Sequence, residues 1–262
     1  MSNSVEIDRP SAVAADDIAT VAALATMAVC TTAVAHEAFG HGSACLILGG
    51  HVILLNNAFF RCSTHSPFID IAGPAGNLLA GLIAFAAQGF IPPARPALRF
   101  YALCVMAFSL FWEAGYLFFA MLKDFGDTVF AWRGFVGPTT WTVRVAGMLL
   151  GAVAYVVFAR MLARRAEAFA GPPVRIPRLF RTAWLTGVAV QILAASFFAP
   201  DRLGAVHDAG LSVGAAFPLL LVRPRPAPDA EAALPIARDT RIVGAGACVF
   251  ILFAATMGRG LY

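Results

Sequence analysis

The sequence predicts an all-α polytopic membrane protein with about seven transmembrane helices and a short membrane-edge β element after the first. Three observations predict it. Hydrophobic residues make up 60% of the 262, against about 45–50% in an ordinary soluble domain. Charged residues make up 13%, against about 25%. Mean hydropathy is +0.76, and the apolar residues are gathered into runs of the ~20 residues that a helix needs to cross ~30 Å of hydrocarbon. This composition excludes a disordered chain, a disulfide-stapled mini-protein and a typical cytosolic enzyme.

Residues 1–17 are polar and acidic and read as an N-terminal tail; residues 18–262 read as one integral-membrane domain. The first apolar run covers 18–47, too long for the core of a signal peptide. Further spans are expected at 69–90, 98–122, 142–162, 180–199, 203–222 and 242–258. The fifth and sixth leave only Pro200, Asp201 and Arg202 for a very tight turn. Segments 171–181 and 223–238 are Pro- and Arg-rich and read as linkers. The stretch 49–57, GGHVILLNN, reads as a short strand or hairpin near the membrane surface. No internal repeat is visible.

Five cysteines, Cys30, Cys45, Cys62, Cys104 and Cys248, form no CxxC pair, and their odd number excludes a full disulfide framework. Cys30, Cys104 and Cys248 lie in apolar runs and read as small hydrophobes. With a cytoplasmic N-terminus, all but six of the 19 Lys and Arg fall on the cytoplasmic side. The six are Arg61, Lys123, Arg133, Arg144, Arg202 and Arg259, and the asymmetry favours that orientation. The net charge of +4 then reflects topology and lipid headgroups. Membrane lipids are the expected partners and nucleic acid is not. The expected location is a bacterial inner membrane or its equivalent.

The chemical outlier lies inside the first span: Ala35-His36-Glu37-Ala38-Phe39-Gly40-His41-Gly42. Ionisable side chains within a membrane helix are costly and mark function. Two imidazoles and a carboxylate are what a zinc hydrolase needs: His36 and His41 to hold Zn²⁺, Glu37 as general base on a metal-activated water. The usual helical spacing puts the two His four residues apart. Here they are five apart, which at ~100° per residue leaves them roughly 140° out of line on an α-helix. A single π-bulge restores the facing, and Gly40 would ease it.

This stretch resembles the signature helix of the site-2 protease family of intramembrane zinc peptidases, whose motif is HE-x-GH, with one residue inserted here. The spacing HExxGH is also that of the dipeptidyl peptidase III family. The second span adds to the resemblance: Ile71-Ala72-Gly73-Pro74-Ala75-Gly76-Asn77 is similar to the AGPxxN motif of the site-2 protease family. The strand-like GGHVILLNN falls where that family has a β element that pairs with extended substrate. The resemblance covers about residues 30–90 and implies a metallopeptidase core over 18–135. Within the second motif, Pro74 suits the first turn of a helix, and Gly73 and Gly76 allow close helix approach. Asn77, an amide in an apolar span, is expected to support or bind substrate.

A catalytic zinc usually takes three protein ligands. The family supplies an Asp from an LDG motif, which this chain lacks. Three carboxylates compete for the place. Asp127, after Gly126 near a helix end, is the closest match. Glu113 lies deep in the third span and can serve instead as ligand or as partner to an imidazole. Asp124, beside Lys123, reads as an interfacial ion pair. His207-Asp208 reads as a polar pair near a span end, His51 and His65 as surface residues, and Trp112 and Tyr116 as packing aromatics. The expected function is an intramembrane zinc-dependent peptidase acting on a peptide or membrane-protein substrate. A non-peptidase membrane metal hydrolase, or an inactive scaffold or transporter with a degenerate site, remains an alternative.

Overall fold

The computed structural model describes residues 15–170, 172–223 and 233–262. Most of the expected tail and of the second linker lie outside those residues. The fold is 73% helical, and among the described residues there are six helical stretches long and apolar enough to cross a membrane and one two-stranded sheet.

The first stretch, Ile18–Ile47, is a single rod in three parts. Helix α1 (Ile18–Val34) starts at Asp17, whose carboxylate accepts from the Thr20 N–H at 2.9 Å as an N-cap. It runs into a π-helical segment, Ala35–Gly42, and then α2 (Ser43–Ile47). The expected one-residue bulge is thus a full eight-residue π segment. A turn at Gly49, with φ of 77°, leads into β1 (Val52–Leu55) and its antiparallel partner β2 (Phe60–Cys62). Asn56 Oδ1 accepts the N–H groups of Ala58 and Phe59, both at 2.6 Å, and closes the hairpin. The expected strand is present, and its other side bridges Leu55 to Leu261. Cys45 and Cys62 form a disulfide that ties α2 to the end of β2, a pairing the cysteine count concealed.

Helix α3 (Pro67–Ala87) begins at Ser66, so Pro74 lies inside the helix and not in its first turn. It therefore cannot donate to the carbonyl four residues back. Helix α4 (Pro96–Lys123) is buried along most of its length. A sharp reversal follows: Asp124 is left-handed (φ 56°) and Gly126 has φ 113°. A Cβ at Gly126 would also lie 2.6 Å from the Tyr116 hydroxyl, so two constraints demand glycine there. Helix α5 (Asp127–Phe135) starts at once, and α6 (Trp141–Ala166) runs back along α4.

The expected fifth span corresponds to α7 (Arg175–Ala195). It starts inside the predicted linker, with Pro177 tolerated in its first turn. Arg175, Arg178 and Arg181 leave it outside the set of six apolar stretches, so the count of seven is not reproduced by that measure. It nevertheless runs the length of the bundle. At its start, the Arg175 guanidinium grips Asp16 at 2.8 Å and the Ala233 carbonyl at 2.6 Å. Beyond its end, Phe198 packs on Phe59 of the hairpin. Because α7 stops at Ala195, the turn to α8 (Arg202–Gly214) is longer than three residues; Asp201 caps α8. Helix α9 (Pro218–Leu221) follows, then α10 (Thr240–Phe253), which ends in a π-helical turn, Ala254–Gly258.

The core joins α1, α4 and α7, with Val21, Val29, Leu103, Phe108, Phe111 and Phe180 among its fully or nearly fully buried members. Many large apolar side chains point outward instead, among them Leu149, Leu150 and Val153 of α6 and Ile251 and Leu252 of α10. Between apolar surroundings and an apolar interior there is little hydrophobic drive to associate, so close packing of small residues matters more. At Gly40, a Cβ would lie 2.5 Å from the Ala72 carbonyl oxygen: α3 and the π segment meet backbone to backbone.

Candidate metal centre

The π segment places both histidines. Its backbone bonds run from i to i+5, so residues five apart stack on one face. His36 and His41 have ring centroids 5.0 Å apart, and both are buried. Each imidazole is held through Nδ1. His36 Nδ1 donates to Glu113 Oε1 at 2.9 Å, and His41 Nδ1 donates to the Ile69 carbonyl at 2.7 Å. With Nδ1 engaged, Nε2 of each ring is the nitrogen free for a ligand.

Both Nε2 atoms face Asp127. Asp127 Oδ2 is 3.3 Å from His41 Nε2 and 3.5 Å from His36 Nε2. The reversal at Asp124 and Gly126 makes Asp127 the first residue of α5 and turns it back over the end of α4. That position also sets its carboxylate at the positive end of a helix. The Asp127 N–H donates to the Tyr116 hydroxyl at 3.0 Å.

Of the three expected candidates for third ligand, the structure brings only Asp127 into one group with His36 and His41, with ligand atoms all within 4.8 Å of one another. Glu113 stands behind His36. Asn77 Nδ2 donates to the same Glu113 Oε1 at 2.8 Å, so the amide supports the Glu113–His36 pair. Asp124 turns away to Arg133, at 2.7 Å, and to the Thr139 hydroxyl; its salt-bridge partner is not Lys123. The Thr139 hydrogen bond, with the charges of Arg133 and Arg144, holds the Asp124 carboxyl below the usual carboxylate range.

Glu37 is buried and lines the same cavity of about 350 Å³, together with His36, His41 and Asp127. The cavity wall also uses Lys123 and, from α8, Asp208 and Ser212. It therefore extends past the core expected at 18–135. His207 bonds Asp208 at 2.7 Å and is exposed, as are His51 and His65.

Three participants escaped the sequence reading. Trp112 stacks on His36 at 5.0 Å and 16°, and Phe60 stacks on His41 at 5.3 Å and 15°. Tyr116 anchors Asp127. Trp112 and Tyr116 are four residues apart around Glu113, so helical spacing already put all three near one face. Phe60 carried no such signal, because β2 was not foreseen as a separate strand.

Two of the three edges of the donor triangle have the length that a tetrahedral ion requires. Ligands about 2.0–2.1 Å from a tetrahedral zinc are about 3.3 Å from one another. The two Asp127–imidazole separations of 3.3 and 3.5 Å match that edge. Two imidazoles and one carboxylate also leave a fourth position open, the arrangement of catalytic zinc sites. No family model, no curated protein and no solved structure matches the chain.

Proposed function

We propose that this chain is an integral-membrane, zinc-dependent peptidase, similar to the site-2 protease family that its HExxxH segment resembles. The observation that carries the reading is the convergence of His36 Nε2, His41 Nε2 and Asp127 Oδ2 within 4.8 Å of one another, the carboxylate 3.5 and 3.3 Å from the two nitrogens, with Glu37 lining the same cavity. Zinc held there would polarise the scissile carbonyl and make a water acidic enough to attack at neutral pH.

The chain's own residues do the rest. Glu37 takes a proton from the attacking water as its oxygen adds to the carbonyl carbon. It returns that proton to the nitrogen as the C–N bond breaks. Glu113 and the Ile69 carbonyl keep both imidazoles in the tautomer that presents Nε2. Trp112 and Phe60 cover the imidazole faces and limit water.

A peptide substrate is favoured by the hairpin. β1 has β2 on one side and Leu261 bridged to Leu55 on the other. Among the described residues, no strand pairs with the outer edge of β2. Phe60 of β2 touches His41, so an extended segment added to that edge lies beside the cluster. The pairing strand is thus assigned to β2, not to the expected GGHVILLNN strand.

The test uses purified full chain, with zinc analysis and a peptide-cleavage assay on the same samples. Glu37→Gln is expected to retain zinc and lose cleavage by about 10²–10⁴-fold. His36→Ala is expected to lose zinc. Cleavage by Glu37→Gln at the parent rate would overturn the mechanism, and parent protein that binds no zinc would overturn the metal assignment.

A further inference from the structure

The bundle has two ends, defined by contacts that do not involve the metal cluster. At one end Arg175 joins Asp16, Ala233 and Leu234. At the other, the hairpin and the α4–α5 reversal line the cavity through Ala58, Phe60, Gly126 and Asp127, and the Leu55–Leu261 bridge and the disulfide hold the hairpin there.

Two independent features distinguish these ends. The first is charge. The cavity end carries Arg61, Lys123, Arg133, Arg144, Arg202 and Arg259, and two of these are already engaged. Arg133 pairs with Asp124, and Arg144 donates to the Met121 carbonyl at 2.8 Å. The remaining described Lys and Arg lie at the opposite end, including Arg165 over the Phe85 ring and Arg175 on Asp16. Segments rich in Lys and Arg stay on the cytoplasmic side of a membrane. The second feature is the Cys45–Cys62 disulfide, which joins α2 to the end of β2 at the cavity end. Such bonds form and persist in oxidising compartments and are rare where thioredoxin and glutathione keep thiols reduced. The three remaining cysteines are free, and the two buried ones, Cys30 and Cys104, lie within α1 and α4.

We propose that the cavity end faces the oxidising, non-cytoplasmic side of the membrane. The His36–His41–Asp127 cluster is then reached from that side, by an extended segment of an exported or membrane-anchored polypeptide that docks on β2. The disulfide belongs to this arrangement. Cys62 is two residues after Phe60, so the bond pins the strand that stacks on His41. Forming it removes two electrons and two protons from the thiols, which a disulfide-bearing dithiol carrier of that compartment accepts. The substrate class rests on the peptidase reading; the side does not, because neither feature involves metal or cleavage.

The experiment expresses the full chain in the inner membrane of a bacterial host, with Cys248→Ala in the labelling variants. Val136→Cys, between α5 and α6, reports the cavity end; Pro138→Cys is a second probe of that end. Glu167→Cys reports the other end. In intact cells a membrane-impermeant maleimide is expected to label the cavity-end thiols and to reach the Glu167→Cys thiol only after permeabilisation. On the unsubstituted denatured chain, alkylation should modify only the free thiols Cys30, Cys104 and Cys248 until a reductant exposes Cys45 and Cys62. In a host without the periplasmic dithiol oxidase, all should react at once. Labelling of Glu167→Cys but not Val136→Cys or Pro138→Cys in intact cells overturns the proposal. So does free reaction of Cys45 and Cys62 in the oxidase-proficient host. Zinc content measured on the same protein separates either failure from failure of the metal reading.

Discussion

Gly73 offers the most direct test of how the fold holds the metal centre. Gly73→Ala adds one methyl group where α3 presses on the π segment. Its Cβ would lie 2.6 Å from both Cδ2 and Cε1 of His41, and closer still to Nε2. Ordinary carbon contacts are about 3.5–4.0 Å, so ring and helix must separate by about 1 Å. Either the imidazole swings off the Ile69 carbonyl, breaking the 2.7 Å bond that sets its tautomer, or α3 retreats from the π segment. Metal sites tolerate ligand displacements of about 0.2 Å, so both routes move His41 out of the three-ligand geometry. Loss of an orienting partner alone weakens metal binding by about 10–100-fold; moving the ligand itself should reach about 100-fold, or ~2.7 kcal/mol. The strain costs a further ~1–3 kcal/mol of stability. Zinc affinity is read by competition with a chelator on purified protein, with thermal unfolding in parallel. Gly81→Ala, on the same helix, meets the flexible Leu110 side chain at 2.7 Å and should lower stability without changing zinc affinity. Zinc binding by Gly73→Ala as tight as that of the parent would refute the reasoning.

Glu113→Gln removes the charge from the acceptor of His36 Nδ1–H and Asn77 Nδ2–H. Zinc affinity should fall about 10–100-fold with little change in unfolding, by the same chelator competition; an unchanged affinity argues against an orienting role. Opening the Cys45–Cys62 bond, which spans 17 residues, should cost up to about 3 kcal/mol by the chain-entropy treatment. The drop should appear in thermal unfolding with reductant and be absent from Cys45→Ser/Cys62→Ser protein. Asp124 has its carboxyl held below the ordinary range by Thr139 and Arg133, so its contribution is present above the unfolded pKa of about 3.9 and is lost as pH falls through the folded value. Asp124→Asn should therefore be less stable than the parent near neutrality, and the gap should close in acid; a gap independent of pH would show that the charge is irrelevant.

Much of the site was legible because it is local. His36, Glu37 and His41 lie within six residues of an apolar run, where any ionisable group stands out, and their spacing already required a departure from α geometry. The π segment meets that requirement over eight residues instead of one. Asn77 was legible as a buried amide in need of a partner, but the partner, Glu113, is on another helix. Phe60 and the Cys45–Cys62 pair were not legible, since both depend on a hairpin whose second strand has only three residues.

What the amino-acid sequence determined by itself is therefore the apolar helical character, the strand after the first span and two imidazoles with a carboxylate on one helix. These follow from periodicity, composition and spacing within single elements. The choice of Asp127 over Glu113 and Asp124 belongs to the tertiary structure. All three lie within fifteen residues of one another, and a left-handed Asp124 followed by Gly126 turns Asp127, which the sequence offered only as the closest match, toward Nε2 of both histidines. The same holds for the length of α7, the disulfide and the edge strand beside His41. Each depends on where two distant segments meet, and that is set by backbone reversals and close helix packing, which leave little trace in hydrophobic pattern.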